Sequence, residues 1–237
     1  MEIKILDKNE IDEIVADRIC ELVKQNPSTV LGLATGSTPL GVYDKIVKNY
    51  QNKYVSFKDV TTFNLDEYVG LTDTHEQSYR HFMTTNLFNH IDIKKENTNF
   101  PDNTLTDPSI YDKKIKNAGG IDFQILGIGS NGHIAFNEPG TDFNSVTHVV
   151  KLADSTIKDN ARFFDNINDV PKMAVTMGLK SILDAKEIVL IATGKNKAHA
   201  ISKLLKDAPS EDLPASILKT HKNVTIYCDE DAASLIN

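Results

Sequence analysis

The run Ile121-Asp122-Phe123-Gln124-Ile125-Leu126, continued by Gly127-Ile128-Gly129-Ser130-Asn131-Gly132-His133-Ile134-Ala135-Phe136-Asn137-Glu138-Pro139-Gly140, decides how the chain is read. The apolar run is short and ends in Gly-Ile-Gly. It predicts a buried strand that stops where the backbone needs glycine freedom. Beyond the strand end lie Asn131, His133, Asn137 and Glu138, each able to exchange a proton or make directional hydrogen bonds. A glycine turn carrying a histidine and a carboxylate is the pattern of an active-site loop. Gly127, Gly129 and Gly132 also spell the dinucleotide fingerprint, and Asp154 lies roughly where that fingerprint places its acid. The fingerprint needs a helix opening at its third glycine, and Pro139 and Gly140 arrive too soon for one. The plainer alternative is a histidine hydrogen-bonded in a packed turn. Asn131 and Glu138, so close to His133, speak against it.

Working outward, other short apolar runs end in polar turns. Thr29 to Ala34 leads into Thr35-Gly36-Ser37-Thr38-Pro39, with Pro39 suited to the first turn of a helix. That turn is either an anion site made of backbone N–H groups and hydroxyls or a simple N-capped strand-to-helix turn. Val60 to Phe63 leads into Asn64-Leu65-Asp66-Glu67-Tyr68, whose paired carboxylates are either a helix-start signal or a general base. Ile188 to Ala192, the most apolar run, leads into Thr193-Gly194-Lys195-Asn196-Lys197. Helical patterns alternate with these runs. Asp7 with Glu10 forms a capping-box pattern ahead of Ile11, Ile14, Val15, Ile19, Leu22 and Val23. Ser78 to His90 carries an aromatic stripe read as core, and Pro108 to Ala118 stops at Gly119-Gly120. Ser155 to Phe164 reads as a helix carrying Arg162. Thr147 to Leu152 and Val170 to Met177 read as extended.

Composition bounds the rest. The 237 residues are 40% hydrophobic and carry a net charge of −7, an ordinary globular profile that suits a single domain over residues 1–237. An acidic chain without a basic block is a poor nucleic-acid binder. No leader pattern and no membrane-length apolar run is seen, so a cytoplasmic protein is expected. Cys20 and Cys228 have no metal-type spacing and read as buried thiols. Continuous apolar strands alternating with helices predict an α/β fold with a doubly wound, largely parallel sheet and helices on both faces. In such sheets ligands bind at the carboxyl ends of the strands. The four polar turns should therefore meet at one edge, offering a hydroxyl-rich anion turn, paired carboxylates, an Asn/His/Glu set and cations. That inventory suits a phosphorylated small molecule undergoing proton transfers.

The stretches LATGSTPLGVY, TFNLDEYVGL, SYRHFM, GIGSNGHIAFNEPG and NARFFD, with the helix after TGKNKA, resemble the glucosamine-6-phosphate deaminase family in the right order over most of the chain. The resemblance implies a Rossmann-like α/β fold and an amino-sugar catabolic reaction. Glucosamine 6-phosphate and water become fructose 6-phosphate and ammonia, with neither metal nor organic cofactor. By motif, Asp66 matches the general base, His133 the ring-opening residue, and Glu138 its orienting carboxylate. Gly36, Ser37 and Thr38 match the phosphate turn, and Arg162 and Lys197 its cationic partners. Asn131 stands where many relatives have Asp and is kept as an orienting member of the ring-opening set. Two other readings are a 6-phosphogluconolactonase-like hydrolase, whose loop continues differently after the histidine, and a non-catalytic sugar-phosphate sensor. Family members regulated by N-acetylglucosamine 6-phosphate are hexamers with an Arg and a Lys downstream of the NEP turn. Here His148 and Val150 stand at the matching positions, and the chain lacks the longer tail. A non-allosteric monomer or small homo-oligomer is expected.

Overall fold

The computed structural model describes residues 1–104, 107–152, 157, 164, 166 and 169–236. Seven strands form the central sheet: β1 (Glu2–Ile5), β2 (Val30–Leu33), β3 (Thr61–Asn64), β5 (Thr98–Asn99), β6 (Phe123–Gly127), β9 (Ile188–Ala192) and β10 (Val224–Cys228). Their order is β1-β10-β9-β6-β2-β3-β5, and every pairing is parallel. All five residues of β9 are buried, as are Phe123 to Leu126 of β6. A strand buried on both faces must be covered by helices on both, which is why these segments read as unbroken apolar runs and not as alternation.

The helices follow their sequence signals. Helix α1 (Lys8–Gln25) begins with the expected capping box: Asp7 accepts from the Asn9 and Glu10 N–H groups, and Glu10 accepts from the Asp7 N–H. Its buried face is Ile11, Val15, Ala16, Ile19, Cys20 and Val23, packed against α2 (Leu40–Gln51). The aromatic segment divides into α3 (Tyr79–Asn86) and a 3-10 turn, Phe88–His90. Met83 and Leu87 enter the main core, whereas Tyr79 joins a smaller cluster with Tyr68 and Phe136. Helix α4 (Ser109–Asn117), α5 (Leu179–Leu183), α6 (Ala198–Lys206) and α7 (Glu230–Ala233) are the other α-helices among the described residues. Of the helix expected over 155–164, all but residues 157 and 164 lie outside the described residues.

One feature departs from the expected single sheet. Asp66–Tyr68 is neither a loop nor a helix start. It is a strand, β4, in a second, antiparallel sheet of order β4-β8-β7, with β8 (Met173–Thr176) and β7 (His148–Lys151). Asp66 lies opposite Thr176 in that sheet. Three residues are too short a run to show a strand period, so only the pairing with β8 reveals it. The chain turns from β3 to β4 at Asn64, whose carbonyl accepts from the buried Tyr111 hydroxyl at 2.7 Å. Leu65 is held on both sides, its N–H by Leu33 and its carbonyl by Met177.

Candidate active site

Successive strands β2, β3 and β5 run toward one edge of the sheet, and β6, β9 and β10 run toward the other. The direction reverses between β2 and β6, which are neighbours, and this is where an open α/β sheet forms its ligand crevice. Strands β9, β6, β2 and β3 are consecutive in the sheet and parallel, so their four polar turns emerge side by side. The closeness is visible at Gly127, where an added Cβ would lie 3.7 Å from the Thr38 hydroxyl. A separate surface cavity of about 630 Å³ is lined by Pro27, Val55, Ser56 and Asp59. Those residues precede β2 and β3, so it opens at the amino ends of the strands.

The turn after β2 leaves the sheet with Gly36 at φ 86°, a backbone conformation that glycine alone adopts without strain. Gly36 and Ser37 are exposed, Thr38 is half-buried, and α2 begins two residues later with Pro39 at its cap. The first N–H groups of α2 therefore sit next to the hydroxyls, an arrangement that can hold an anion. After β9, Gly194 has φ 90° and donates its N–H to Asp229. Lys197 closes the 3-10 turn that opens α6 and is half-buried. Arg162 lies outside the described residues.

Asp66 and Glu67 share a strand but not an environment. Asp66 is 7% exposed, and among the described residues its carboxylate has no hydrogen-bond or ion-pair partner. Burial, then the charge of Glu67, push its pKa up to about 8. Glu67 is buried and accepts three backbone N–H bonds at 2.9 Å, from Tyr68, Tyr79 and Arg80. It does cap a helix, but across space: Tyr79 and Arg80 open α3, whose cap residue Ser78 takes the His81 N–H.

The loop after β6 is built around its histidine. The Gly129 N–H donates to the His133 carbonyl at 2.9 Å, folding the loop back on itself. A Cβ on Gly129 would fall 2.2 Å from the imidazole, so the ring lies directly over bare backbone. Asn131 bridges its neighbours: its amide nitrogen donates to Glu138 at 2.6 Å, and its amide oxygen is 2.7 Å from His133 Nδ1. Glu138 itself is 3.5 Å from Nδ1. An ionised carboxylate only accepts, so Glu138 turns the Asn131 NH₂ toward itself and its oxygen toward His133. In the neutral imidazole Nδ1 then carries the proton, and Nε2 keeps its lone pair. An aspartate at 131 would set a second carboxylate against Glu138 at 2.6 Å.

Two anchors of this loop, Thr176 and the Met177 carbonyl, left no signal in the sequence. Thr176, fully buried, accepts the Phe136 N–H at 3.1 Å and pairs with Asp66 across the small sheet. Asn137 donates to the Ile134 and Met177 carbonyls. Thr176 and Met177 thus join the Asp66 strand to the His133 loop. The 209–214 segment also packs here. The Ala215 N–H meets the Gly132 carbonyl, and a Cβ on Gly132 would strike Leu213. Among the described residues no cluster of three His, Cys, Asp or Glu side chains is placed to hold a metal ion. No described helix is long and apolar enough to cross a membrane.

The chain resembles known proteins over nearly its whole length. The chain is 51% identical over 232 residues to a glucosamine-6-phosphate deaminase of Clostridium novyi, covering 96% of each chain. It is 48% identical over 238 aligned residues to one from Clostridium perfringens, covering 98% of each. A solved structure described as a monomeric glucosamine-6-phosphate deaminase superposes with a TM-score of 0.95 at 44% identity, over 99% of this chain and 100% of that one. A 6-phosphogluconolactonase from Trypanosoma cruzi shares the fold at a TM-score of 0.78 but only 20% identity, over 98% of this chain and 96% of that one. The profile of the family described as glucosamine-6-phosphate isomerases/6-phosphogluconolactonase matches residues 8–227, and the chain belongs to that family.

Proposed function

We propose that this protein is a glucosamine-6-phosphate deaminase, converting glucosamine 6-phosphate and water to fructose 6-phosphate and ammonia in amino-sugar catabolism. The observation that carries the reading is the pairing of a desolvated carboxylate, Asp66, with an imidazole held in one tautomer by Asn131 and Glu138. Each suits one of the two proton transfers the reaction needs. In the cyclic substrate, His133 Nε2 takes the proton of the anomeric hydroxyl and returns one to the ring oxygen, opening the ring. Asn131 orients the imidazole directly, and Glu138 acts on it mainly through Asn131. Asp66 then removes the proton on the carbon that bears the amine. The C–H electron pair forms the enolamine as the aldehyde oxygen takes a proton from the substrate's ammonium group, and Asp66 returns its own proton to the neighbouring carbon. Water adds to the resulting imine, the C–N bond breaks, and ammonia leaves.

Gly36, Ser37 and Thr38 would receive the phosphate with the start of α2, and Lys197 and Arg162 would supply its positive partners. An acidic chain must concentrate its cations where an anion binds. We further read the protein as one cytoplasmic domain that acts as a monomer or small homo-oligomer, binds no nucleic acid and needs no activator. On β7, Val149 and Lys151 are exposed while His148 and Val150 are half-buried. Lys151 therefore faces away from Val150 and is not a cationic substitute for it. Ammonia release from glucosamine 6-phosphate, assayed with and without N-acetylglucosamine 6-phosphate, tests both readings. A sigmoidal rate curve that the effector makes hyperbolic would refute the second, and lactone hydrolysis without ammonia would refute the first.

A further inference from the structure

Glu67 is the buried charge for which the reaction leaves no role. Its two oxygens collect three N–H donors, two on Oε1 and one on Oε2. Two of those donors are the first N–H groups of α3, the positive end of a helix dipole. Such a cradle holds a carboxylate in its ionised form even when buried. Burial is the larger influence and leaves the Glu67 carboxyl above its ordinary range, while the three N–H bonds and Arg80 oppose it. The adjacent Asp66 has no such donors.

Among the described residues, the charged and titratable groups around Glu67 are few. On α3, Tyr79 and Arg80 face it, and Arg80 is paired with Asp73 at 3.1 Å. On β4 its neighbours are Asp66 and Tyr68, whose hydroxyl takes a bond from Tyr79 at 3.3 Å. Val175, opposite Glu67 on β8, is apolar. The Tyr111 hydroxyl of α4 is engaged by the Asn64 and Asn99 carbonyls.

We propose that Glu67 is a positioning residue for the base: it pins β4 to the start of α3 and holds a fixed negative charge beside Asp66, setting how tightly Asp66 keeps its proton. The proposal rests on Asp66 being the base. One carboxylate of the pair is anchored by three donors that favour its charged form. The other is left free to cycle, and the anchored one makes it more basic than burial alone would.

The test compares pH profiles of kcat/KM for the wild type, Glu67→Gln, Glu67→Asp and Asp66→Asn, each with a thermal melt. In Glu67→Gln the acid limb should move down by roughly one pH unit, the effect of removing a like charge from a neighbouring site. The plateau rate should fall several-fold, because a weaker base transfers the proton less readily. Glu67→Asp keeps the charge but is one methylene too short to reach all three donors. Its Tm should drop while its acid limb stays at the wild-type position. A folded Glu67→Gln protein with an unmoved limb overturns the proposal and leaves Asp66 as base. An Asp66→Asn protein that still exchanges the sugar carbon proton with solvent overturns the base assignment itself. Should Glu67→Gln fail to fold, carboxyl ¹³C NMR of the wild type decides. Glu67 should lose its proton well below Asp66, and loss together with or above Asp66 refutes the proposal.

Discussion

Asp66 and His133 are reached from adjoining parts of the sheet, yet their surroundings differ in kind. Asp66 sits on a strand, nearly without solvent, and no described group satisfies its carboxylate. His133 sits on a loop, with its side chain 29% exposed and one ring nitrogen committed to Asn131. Desolvation strengthens the first as a base by making its charge costly. Hydrogen bonding orders the second by choosing which nitrogen is open. A carbon acid is a weak proton donor and needs the stronger base. A sugar hydroxyl needs a correctly aimed group that can take a proton and hand it back.

The largest expected effect tests the desolvated half. Asp66→Asn should lower deamination on the order of 10²–10⁴-fold, the usual loss when a general base is removed. Solvent exchange at the sugar carbon should vanish with it, and near-normal exchange would break the contrast. Stability should move the other way. Asp66 is raised from 3.8 to about 8 in the folded protein, so its contribution to stability is full below about pH 4 and is lost as pH rises through about 8. The Asn variant has no such loss. Its Tm advantage over the wild type should be absent at pH 4 and should grow toward pH 8. In the wild type, kcat/KM should climb through an acid limb near 8, and a limb near 4 would remove the desolvation argument.

His133→Gln tests the oriented half. We expect a loss of roughly 10²-fold or more on the cyclic sugar, the general acid–base contribution, and a much smaller loss on an open-chain analogue. Equal losses on both forms would merge the two regions into one function. Lys197→Ala should raise KM for glucosamine 6-phosphate roughly 10- to 100-fold, the worth of a charge-assisted hydrogen bond. Discrimination against unphosphorylated glucosamine should fall in step, and unchanged discrimination removes Lys197 from the phosphate site. The smallest effect sharpens the geometry. Gly129→Ala places a Cβ within 2.2 Å of the imidazole, so the ring must leave its rotamer at about 0.5–1.5 kcal/mol. A roughly 2- to 10-fold loss on the cyclic form, with the open-chain rate intact, is the expected result from steady-state rates.

The residues that could be read from the sequence are those whose job is local. The Asp7 box shows because it is closed within four residues. Strand β9 shows because all five of its side chains are apolar. The His133 loop shows because its glycine, asparagine and glutamate lie within one short stretch, and a hydrogen-bond set of that span needs no other segment. Gly36 and Gly194 could be expected at strand ends, where the turn requires a positive φ. That the four central turns share one edge also followed from the chain alone, since parallel strands with crossover helices all end on one side.

Other features had no local cause and were decided by tertiary structure. Asp66–Tyr68 is a strand only because β8 pairs with it from more than a hundred residues away. The difference between Asp66 and Glu67, adjacent and chemically alike, arises from α3, whose first N–H groups reach one carboxylate and leave the other bare. Thr176 falls in a run read only as extended, and the fold sets its hydroxyl to accept the Phe136 N–H. Asn131 read as a weakened aspartate. Its distances to His133 and Glu138 make it the link between them. Residue type and spacing therefore determined which groups were available for proton transfer. Burial and hydrogen-bond supply, which depend on what packs from elsewhere in the chain, decided what each group could do.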